Sequence, residues 1–99
     1  MEVNIQSIRF DADQKLLDTI RVSLEKISRF DSGIPEAQVY LKLDADHGGY
    51  HSKVLEIKLM KPGNTIVAKA ERASFEEALD EALEAALVQV RKLRDREKS

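Results

Sequence analysis

The stretch Ala37-Gln38-Val39-Tyr40-Leu41-Lys42-Leu43 places an apolar side chain at every second position. Because successive side chains of a strand point to opposite faces of its sheet, this alternation predicts a β-strand with one buried face. Residues 54–60 show the same half-buried pattern, and residues 65–70 give a further strand. Turn sequences separate the three segments, and the second, Lys61-Pro62-Gly63-Asn64, has the Pro-Gly order that a type II turn prefers. Three successive antiparallel strands are therefore expected.

Upstream of these strands the sequence predicts another strand and an amphipathic helix. Residues 2–10 have an apolar edge and form the first predicted strand. Asp11 lies three positions before Gln14, which resembles a capping box at the start of a helix. Gly33, which can adopt a positive φ, and Pro35, which cannot continue a helix, end this segment. Apolar residues recur between these signals at steps of three and four, and they are Leu16, Leu17, Ile20, Leu24, Ile27 and Phe30.

Downstream of the strands a second amphipathic helix begins at the cap signal Ser74-Phe75-Glu76-Glu77. Its small residues Ala78, Ala82 and Ala86 allow close packing against neighbouring elements. From about Arg94 onward the chain is expected to fray. The predicted buried stripe consists of Phe75, Ala78, Leu79, Ala82, Leu83, Ala86, Leu87, Val90 and Leu93.

The order of these elements, β-α-β-β-β-α, predicts an α+β fold. A strand-helix-strand crossover is right-handed and makes the first two strands parallel, whereas the short turns make the next pairs antiparallel. The sheet is therefore a mixed sheet of four strands. Both helices run opposite to the second and fourth strands, so they are parallel to each other and pack on one face. The other face is expected to be open and to carry Gln38, Tyr40, Lys42, Glu56 and Lys58.

The composition fits one small domain over residues 1–99, because domains usually contain about 100–150 residues. Apolar residues make up 42% of the chain and charged residues 34%, and the net charge of −2 means that any polyanion must bind a local basic patch. The absence of cysteine excludes disulfides, thiolate metal sites and thiol catalysis. No apolar run is long enough to span a membrane, and residues 1–4 enter a strand pattern without a signal peptide. We therefore expect a cytoplasmic protein.

Charges are distributed unevenly along both predicted helices. Each helix carries acidic residues early and basic residues late, so parallel helices would make one end of the molecule acidic and the other basic. Two explanations fit this pattern equally well. The charges compensate the helix dipoles, or they form a phosphate-binding surface from two adjacent helix ends. The late basic residues are Arg21, Lys26 and Arg29 on the first helix and Arg91, Lys92, Arg94, Arg96 and Lys98 on the second.

Four segments of the chain resemble the ribosome hibernation-promoting factor family, also called the ribosome-associated inhibitor A or sigma-54 modulation protein family. They are Val3-Asn4-Ile5-Gln6-Ser7, Leu24-Glu25-Lys26-Ile27-Ser28-Arg29-Phe30, Ala37-Gln38-Val39-Tyr40-Leu41-Lys42 and Ser74-Phe75-Glu76-Glu77-Ala78-Leu79-Asp80. The resemblance covers nearly the whole chain in the same element order, and the length is similar to that of the short form. The arrangement is also similar to that of a double-stranded RNA-binding domain (dsRBD-like).

The resemblance implies a protein that is not an enzyme and needs no cofactor. Members of this family bind the small ribosomal subunit in the channel for messenger and transfer RNA and inhibit translation under stress or slow growth. Basic residues of both helices touch the 16S rRNA. Carried onto this chain, these residues are Lys26 and Arg29 on the first helix and Lys92 on the second, with Arg91 and Arg94 beside it. A monomer without membrane association is expected.

The chain departs from the family in the middle of the second helix. Relatives usually carry further basic residues there, whereas this chain has Ala85, Leu87 and Val88. On a helical wheel Val88 points away from the buried stripe and toward solvent. Each missing phosphate contact reduces the salt-dependent part of RNA binding. The resemblance therefore predicts weaker ribosome binding, or contacts redistributed to Arg72, Arg91 and Arg96.

Two other functions remain open from the residues alone. The loop Asp44-Ala45-Asp46-His47-Gly48-Gly49-Tyr50-His51 contains carboxylates and imidazoles that could bind a metal, although their spacing matches no defined site and a solvated hairpin loop is the expected interpretation. No metal site is therefore predicted. The alternative to ribosome binding is a protein-interaction module that uses the open sheet face or the Leu87–Val88 region. No arrangement of Ser, His and Asp suggests a catalytic site.

Overall fold

The computed structural model describes residues 1–44 and 52–97. Its strands are β1 (Glu2–Ile8), β2 (Glu36–Asp44), β3 (Ser52–Lys61) and β4 (Asn64–Arg72). Its helices are α1 (Gln14–Phe30), between β1 and β2, and α2 (Phe75–Glu97), after β4. The predicted order β-α-β-β-β-α is confirmed.

The four strands form one mixed sheet in the order β1-β2-β3-β4. β1 pairs with β2 in parallel, and β2–β3 and β3–β4 are antiparallel. The register aligns Ile5 with Val39, Val39 with Ile57 and Ile57 with Ala68, so one apolar row crosses the entire sheet. The row through Val3, Ala37, Leu59 and Ile66 is also apolar, and the row through Leu41, Leu55 and Ala70 is apolar except for Ser7 of β1.

Both helices cover this apolar face, as the α+β prediction requires. Leu16, Ile20, Leu24 and Ile27 of α1 join the buried residues of β2, β3 and β4 in a single core. The buried stripe of α2 joins the same core and is formed by Phe75, Ala78, Leu79, Ala82, Leu83, Ala86, Val90 and Leu93. Ala78, Ala82 and Ala86 are fully buried, so their small side chains let α2 lie close to the sheet.

Contacts at both ends show that the helices are parallel to each other. At the amino ends, the ring of Phe10, just before α1, stacks on Phe75, the first residue of α2, with centroids 5.4 Å apart. At the carboxyl ends, Phe30 of α1 contacts Arg91 and Arg94 of α2. The predicted direction of the helices is therefore correct.

The first strand is shorter than predicted. β1 ends at Ile8, not at residue 10, because Arg9 adopts a left-handed conformation with φ of 64° that turns the chain. This turn brings Phe10 onto Phe75 and against the core instead of along the sheet. Apolar spacing alone cannot distinguish the last residue of a strand from a residue that packs after a turn.

Both signals at the ends of α1 differ from the prediction. The cap is Asp13, whose Oδ1 accepts a hydrogen bond of 2.8 Å from Leu16 N, and Asp11 takes no part in it. At the other end Gly33 lacks a positive φ, and the Asp31 carboxylate accepts a hydrogen bond of 2.9 Å from Gly33 N. Asp31 N still donates to Ile27 O, but the backbone of Asp31 is extended, with φ of −142° and ψ of 103°, so the helix ends there.

The other two local predictions are confirmed. Gly63 has a φ of 82°, which the third residue of a type II turn requires, and the turn joins β3 to β4. Ser74 caps α2, since its Oγ accepts a hydrogen bond of 3.1 Å from Glu77 N.

Two further sequence interpretations concern the loop and the membrane. Residues 45–51 of the possible metal-binding loop lie outside the described residues, and within 1–44 and 52–97 no group of three or more His, Asp or Glu is placed to hold a metal. Across the same two ranges, no helix combines the length and apolarity needed to cross a membrane.

Candidate nucleic-acid interface

The carboxyl ends of α1 and α2 meet at Phe30. The guanidinium carbons of Arg91 and Arg94 lie 5.8 and 5.7 Å from the centroid of the Phe30 ring, within the range of cation–π interactions. Arg94 Nη1 also donates a hydrogen bond to Phe30 O. This carbonyl is one of the last in α1, where backbone oxygens lack helical partners and the helix dipole is negative. We call Phe30, Arg91 and Arg94 the Phe30 cluster.

Arg94 therefore has a different role from its neighbours. Its guanidinium is held by the ring and the backbone of Phe30, and the residue is half-buried. Arg91 is exposed. Of the Phe30 ring and the Phe30 backbone, it contacts only the face of the ring. Arg94 thus joins the two helices, whereas Arg91 presents its charge to solvent.

Lys26 and Arg29 of α1 extend the basic surface beyond the Phe30 cluster. Both are exposed, and Arg29 lies in the last turn of α1. Lys26 precedes Phe30 by four positions, a spacing that places two residues on the same helix face one turn apart. Within the described ranges 1–44 and 52–97, no carboxylate forms an ion pair with Lys26, Arg29 or Arg91.

Lys92 lies on the other side of α2. With Arg96 it lines a groove of about 290 Å³ between the carboxyl half of α2 and the beginning of β4. Adjacent helical residues differ by about 100° around the axis, so Arg91 and Lys92 cannot share one face. The predicted residues therefore lie at one end of the molecule but on two flanks of α2.

An ion cluster around the half-buried Lys61 supports this end of the molecule. Lys61 Nζ lies 2.9 Å from Asp31 Oδ2 and 2.8 Å from Glu97 Oε1, so it joins the end of β3 to the ends of both helices. Hydrogen bonds to Glu97 and Asp31, against a smaller effect of burial, raise the pKa of Lys61 above 10.5. Burial opposes ionisation of Asp31, but the hydrogen bonds from Lys61 and Gly33 and the charges of Lys61 and Arg94 together hold its pKa below 3.8.

The opposite end of the molecule is acidic. Arg72, at the end of β4, pairs there with Glu77 and Glu81 of α2, with closest distances of 3.7 and 3.1 Å. Arg72, one of the residues to which RNA contacts could be redistributed, therefore lies at the end of the sheet that adjoins the start of α2, away from the Phe30 cluster, and its contact with RNA stays a prediction. Its partners are also the acidic residues of that helix start.

Two sequence interpretations of apolar residues need correction. Phe30 was expected in the buried stripe of α1, but it is 38% exposed and holds the arginines of α2. Leu87 is half-buried against the core, whereas Val88 is 42% exposed as the helical wheel predicts. The Leu87–Val88 region therefore exposes mainly Val88, and its role in protein interaction stays a prediction.

Sequence reasoning missed the Phe30 cluster and the cluster around Lys61. Arg91 and Arg94 are three positions apart, which places them on neighbouring parts of one helix face, and this spacing was a usable signal. Nothing in the local sequence of Lys61 indicates partners at positions 31 and 97, because both contacts depend on the tertiary fold.

Comparisons with solved structures find the same fold in ribosome-related proteins. A ribosomal subunit interface protein from Coxiella burnetii matches with a TM-score of 0.85 and 18% identity, over 96% of this chain and 99% of that one. The N-terminal domain of Protein Y from Thermus thermophilus matches with a TM-score of 0.80 and 21% identity, over 94% of this chain and 99% of that one. At these identities the likeness establishes the fold alone. A comparison with curated protein sequences gives no significant match.

A family model places the chain more specifically. The model for the sigma 54 modulation protein / S30EA ribosomal protein matches residues 3–98, which include all of the helices and strands except Glu2, the first residue of β1. The match extends from Val3 of β1 to the end of α2, in agreement with the resemblance seen in the separate segments. The chain therefore belongs to the sigma 54 modulation protein / S30EA ribosomal protein family, whose members are ribosome-associated proteins without enzymatic activity.

Proposed function

We propose that this protein is a ribosome hibernation factor that binds the small subunit in the channel for messenger and transfer RNA. In this position it inhibits translation under stress or slow growth. The protein acts as a cytoplasmic monomer, and the region 1–99 is a single ribosome-binding domain. Membership of the family supports ribosome association, and the name of the Coxiella burnetii relative, a ribosomal subunit interface protein, agrees with it.

The observation that carries this proposal is the meeting of both helix ends at Phe30. Lys26, Arg29 and Arg91 are exposed there, and Arg94 holds the two helices together. A protein with a net charge of −2 can bind RNA only if its positive charges are concentrated. Each phosphate that these residues neutralise releases condensed counterions, which favours binding at low salt. The 16S rRNA is therefore the proposed ligand of this surface.

A co-sedimentation assay with purified small subunits across a range of salt concentrations tests the proposal. The triple variant Lys26→Gln, Arg29→Gln and Arg91→Gln is expected to bind more weakly than the wild type. The slope of log affinity against log salt should fall by up to about 0.7–0.9 for each lost phosphate contact. Because these residues are exposed, each substitution should change the free energy of unfolding by less than about 1 kcal/mol.

The matched control is the triple variant Lys42→Gln, Lys58→Gln and Lys69→Gln. It removes the same charge from the open sheet face and should retain wild-type binding and wild-type inhibition of cell-free translation. Equal binding by the wild type and the helix-end variant would refute the proposed site. Failure of the wild type to co-sediment or to inhibit translation would refute the proposed function.

The alternative function is a protein-interaction module on the open sheet face. A cavity of about 340 Å³ favours it, since Ile8, Tyr40 and Val54 give this face an apolar floor between lysine side chains. Self-association of the wild type at micromolar concentration in sedimentation, lost in the control triple variant and without ribosome binding, would support this alternative.

A further inference from the structure

The groove between β4 and α2 differs in character from the Phe30 cluster. Lys92 and Arg96 lie on its α2 side, and Asn64 and Thr65 lie on its β4 side. Ile66 and Leu93 complete the lining, and both are buried. None of the residues that line this groove is acidic.

The α2 wall of this groove is fixed to the edge of the sheet. Gln89 lines the groove one turn before Lys92, and its Nε2 donates a hydrogen bond of 2.9 Å to Val67 O of β4. This bond joins the α2 face that carries Lys92 to an edge strand. The relative position of the two walls is therefore set before any ligand binds, which reduces the ordering cost of binding.

The chemistry of the groove suits a phosphodiester backbone. Two cationic side chains on one wall can neutralise phosphate oxygens, and the amide and hydroxyl groups of Asn64 and Thr65 can hydrogen-bond to phosphate or ribose. The volume of about 290 Å³ lies near the small end of ligand pockets. A groove of this volume suits a short stretch of phosphodiester backbone better than a folded ligand.

The groove is separated from the Phe30 cluster by α2 itself. Arg91 and Arg94 face the end of α1, whereas Lys92 and Arg96 face β4. One extended strand cannot follow both flanks of a helix without crossing it. The two groups of cations are therefore suited to different strands of RNA.

We propose that the β4–α2 groove is a second binding site, which holds a segment of rRNA backbone separate from the segment bound near Phe30. This inference rests on the proposed function, because it names a second contact of the same ribosome-binding protein. Lys92 then belongs to this groove, and Asn64 and Thr65 of β4 are new members of the RNA interface. The carboxyl half of α2 lies between two RNA strands.

The first variant places a negative charge in the groove and leaves every basic residue in place. Thr65→Glu should weaken binding to small subunits stripped of messenger RNA by at least about tenfold, and by clearly more than Thr65→Gln, which is of similar size but adds no charge. Lys92→Gln should reduce the salt slope by up to about 0.7–0.9. Thr65 is exposed, and thermal unfolding must show that both variants at this position remain folded.

A second measurement tests RNA binding in the groove independently of the proposed ribosomal function. NMR spectra of the wild type with an oligouridylate RNA should show shifts for the amides of the groove residues 64–66, 89, 92, 93 and 96, and Thr65→Glu should abolish them. Wild-type subunit binding by Thr65→Glu, or no shifts in these residues, would overturn the groove while leaving the Phe30 site intact. Groove shifts without any subunit binding by the wild type would support the groove and refute the ribosomal function.

Discussion

At the scale of single residues, the basic end depends on side chains whose contacts differ from those that the local sequence pattern indicates. Phe30 has the spacing of a core residue, yet it lies where α1 leaves the core and supports two arginines. Asp31 follows it and has the appearance of an ordinary turn residue, yet it is 6% exposed and binds Lys61. Local pattern predicts the type of an element, but the partners of such residues come from elements distant in the sequence.

The Asp31–Lys61 pair makes stability depend on pH at this scale. The pKa of Asp31 is lower in the folded protein, so its contribution is complete above the unfolded value near 3.9 and is lost as the pH falls through the folded value. Lys61 has a raised pKa, so its contribution is lost only as the pH rises above 10.5. Asp31→Asn should therefore lower the free energy of unfolding at pH 7, and the difference from the wild type should shrink toward pH 2.

Urea unfolding at pH 7 and at low pH measures this difference. Asn can still accept a hydrogen bond from Gly33 N, so the substitution removes mainly the charge. Glu84→Gln is the control, because Glu84 is an exposed carboxylate outside the cluster. A destabilisation by Asp31→Asn that is constant between these pH values would contradict the assignment.

At the scale of elements, the sequence predicts most of the structure. Period-two patterns identify β2 and β3, and the 3.6-residue periodicity identifies both helices, because burial of one face imposes these periods. The ends are less accurate: Arg9 ends β1 early through its left-handed conformation, and Asp13 caps α1 in place of Asp11. Asp11 and Asp13 carry the same side chain, so the sequence does not distinguish them as helix caps. Only the backbone geometry selects the residue that caps α1.

The cap of α2 gives a prediction for a whole element. Ser74→Ala removes the acceptor for Glu77 N and should lower the free energy of unfolding by about 1 kcal/mol. Ser74→Asp keeps an acceptor and adds a negative charge near the positive end of the helix dipole, so it should restore most of this loss. Chemical denaturation of the three proteins provides the measurement. Equal stability of wild type and Ser74→Ala would show that water replaces the cap at no cost.

At the scale of the whole molecule, charge separation follows from topology. The right-handed crossover and the antiparallel pairing of β2, β3 and β4 require parallel helices, and this direction could be predicted from the order of the elements alone. Both helices begin at one end, where Asp13 caps α1 and Glu76 and Glu77 lie in the first turn of α2. With the basic last turns of both helices they add to a molecular polarity despite a net charge of −2. The division of the basic end into the Phe30 cluster and the β4–α2 groove could not be predicted, since it depends on the rotation of α2 about its own axis.

The parallel pairing of β1 with β2 has a consequence for the order of folding. Glu2 of β1 pairs with Glu36 of β2, and all of α1 lies between these two residues in the sequence. In contrast, β2, β3 and β4 each pair with the next strand along the chain. Closing the longer loop costs more chain entropy, and non-local contacts form more slowly than local ones. The three-stranded meander with α2 should therefore form first, and β1 should join it last. Pulse-labelled hydrogen exchange during refolding should show later protection of β1 amides than of β3 amides, and simultaneous protection would contradict this order.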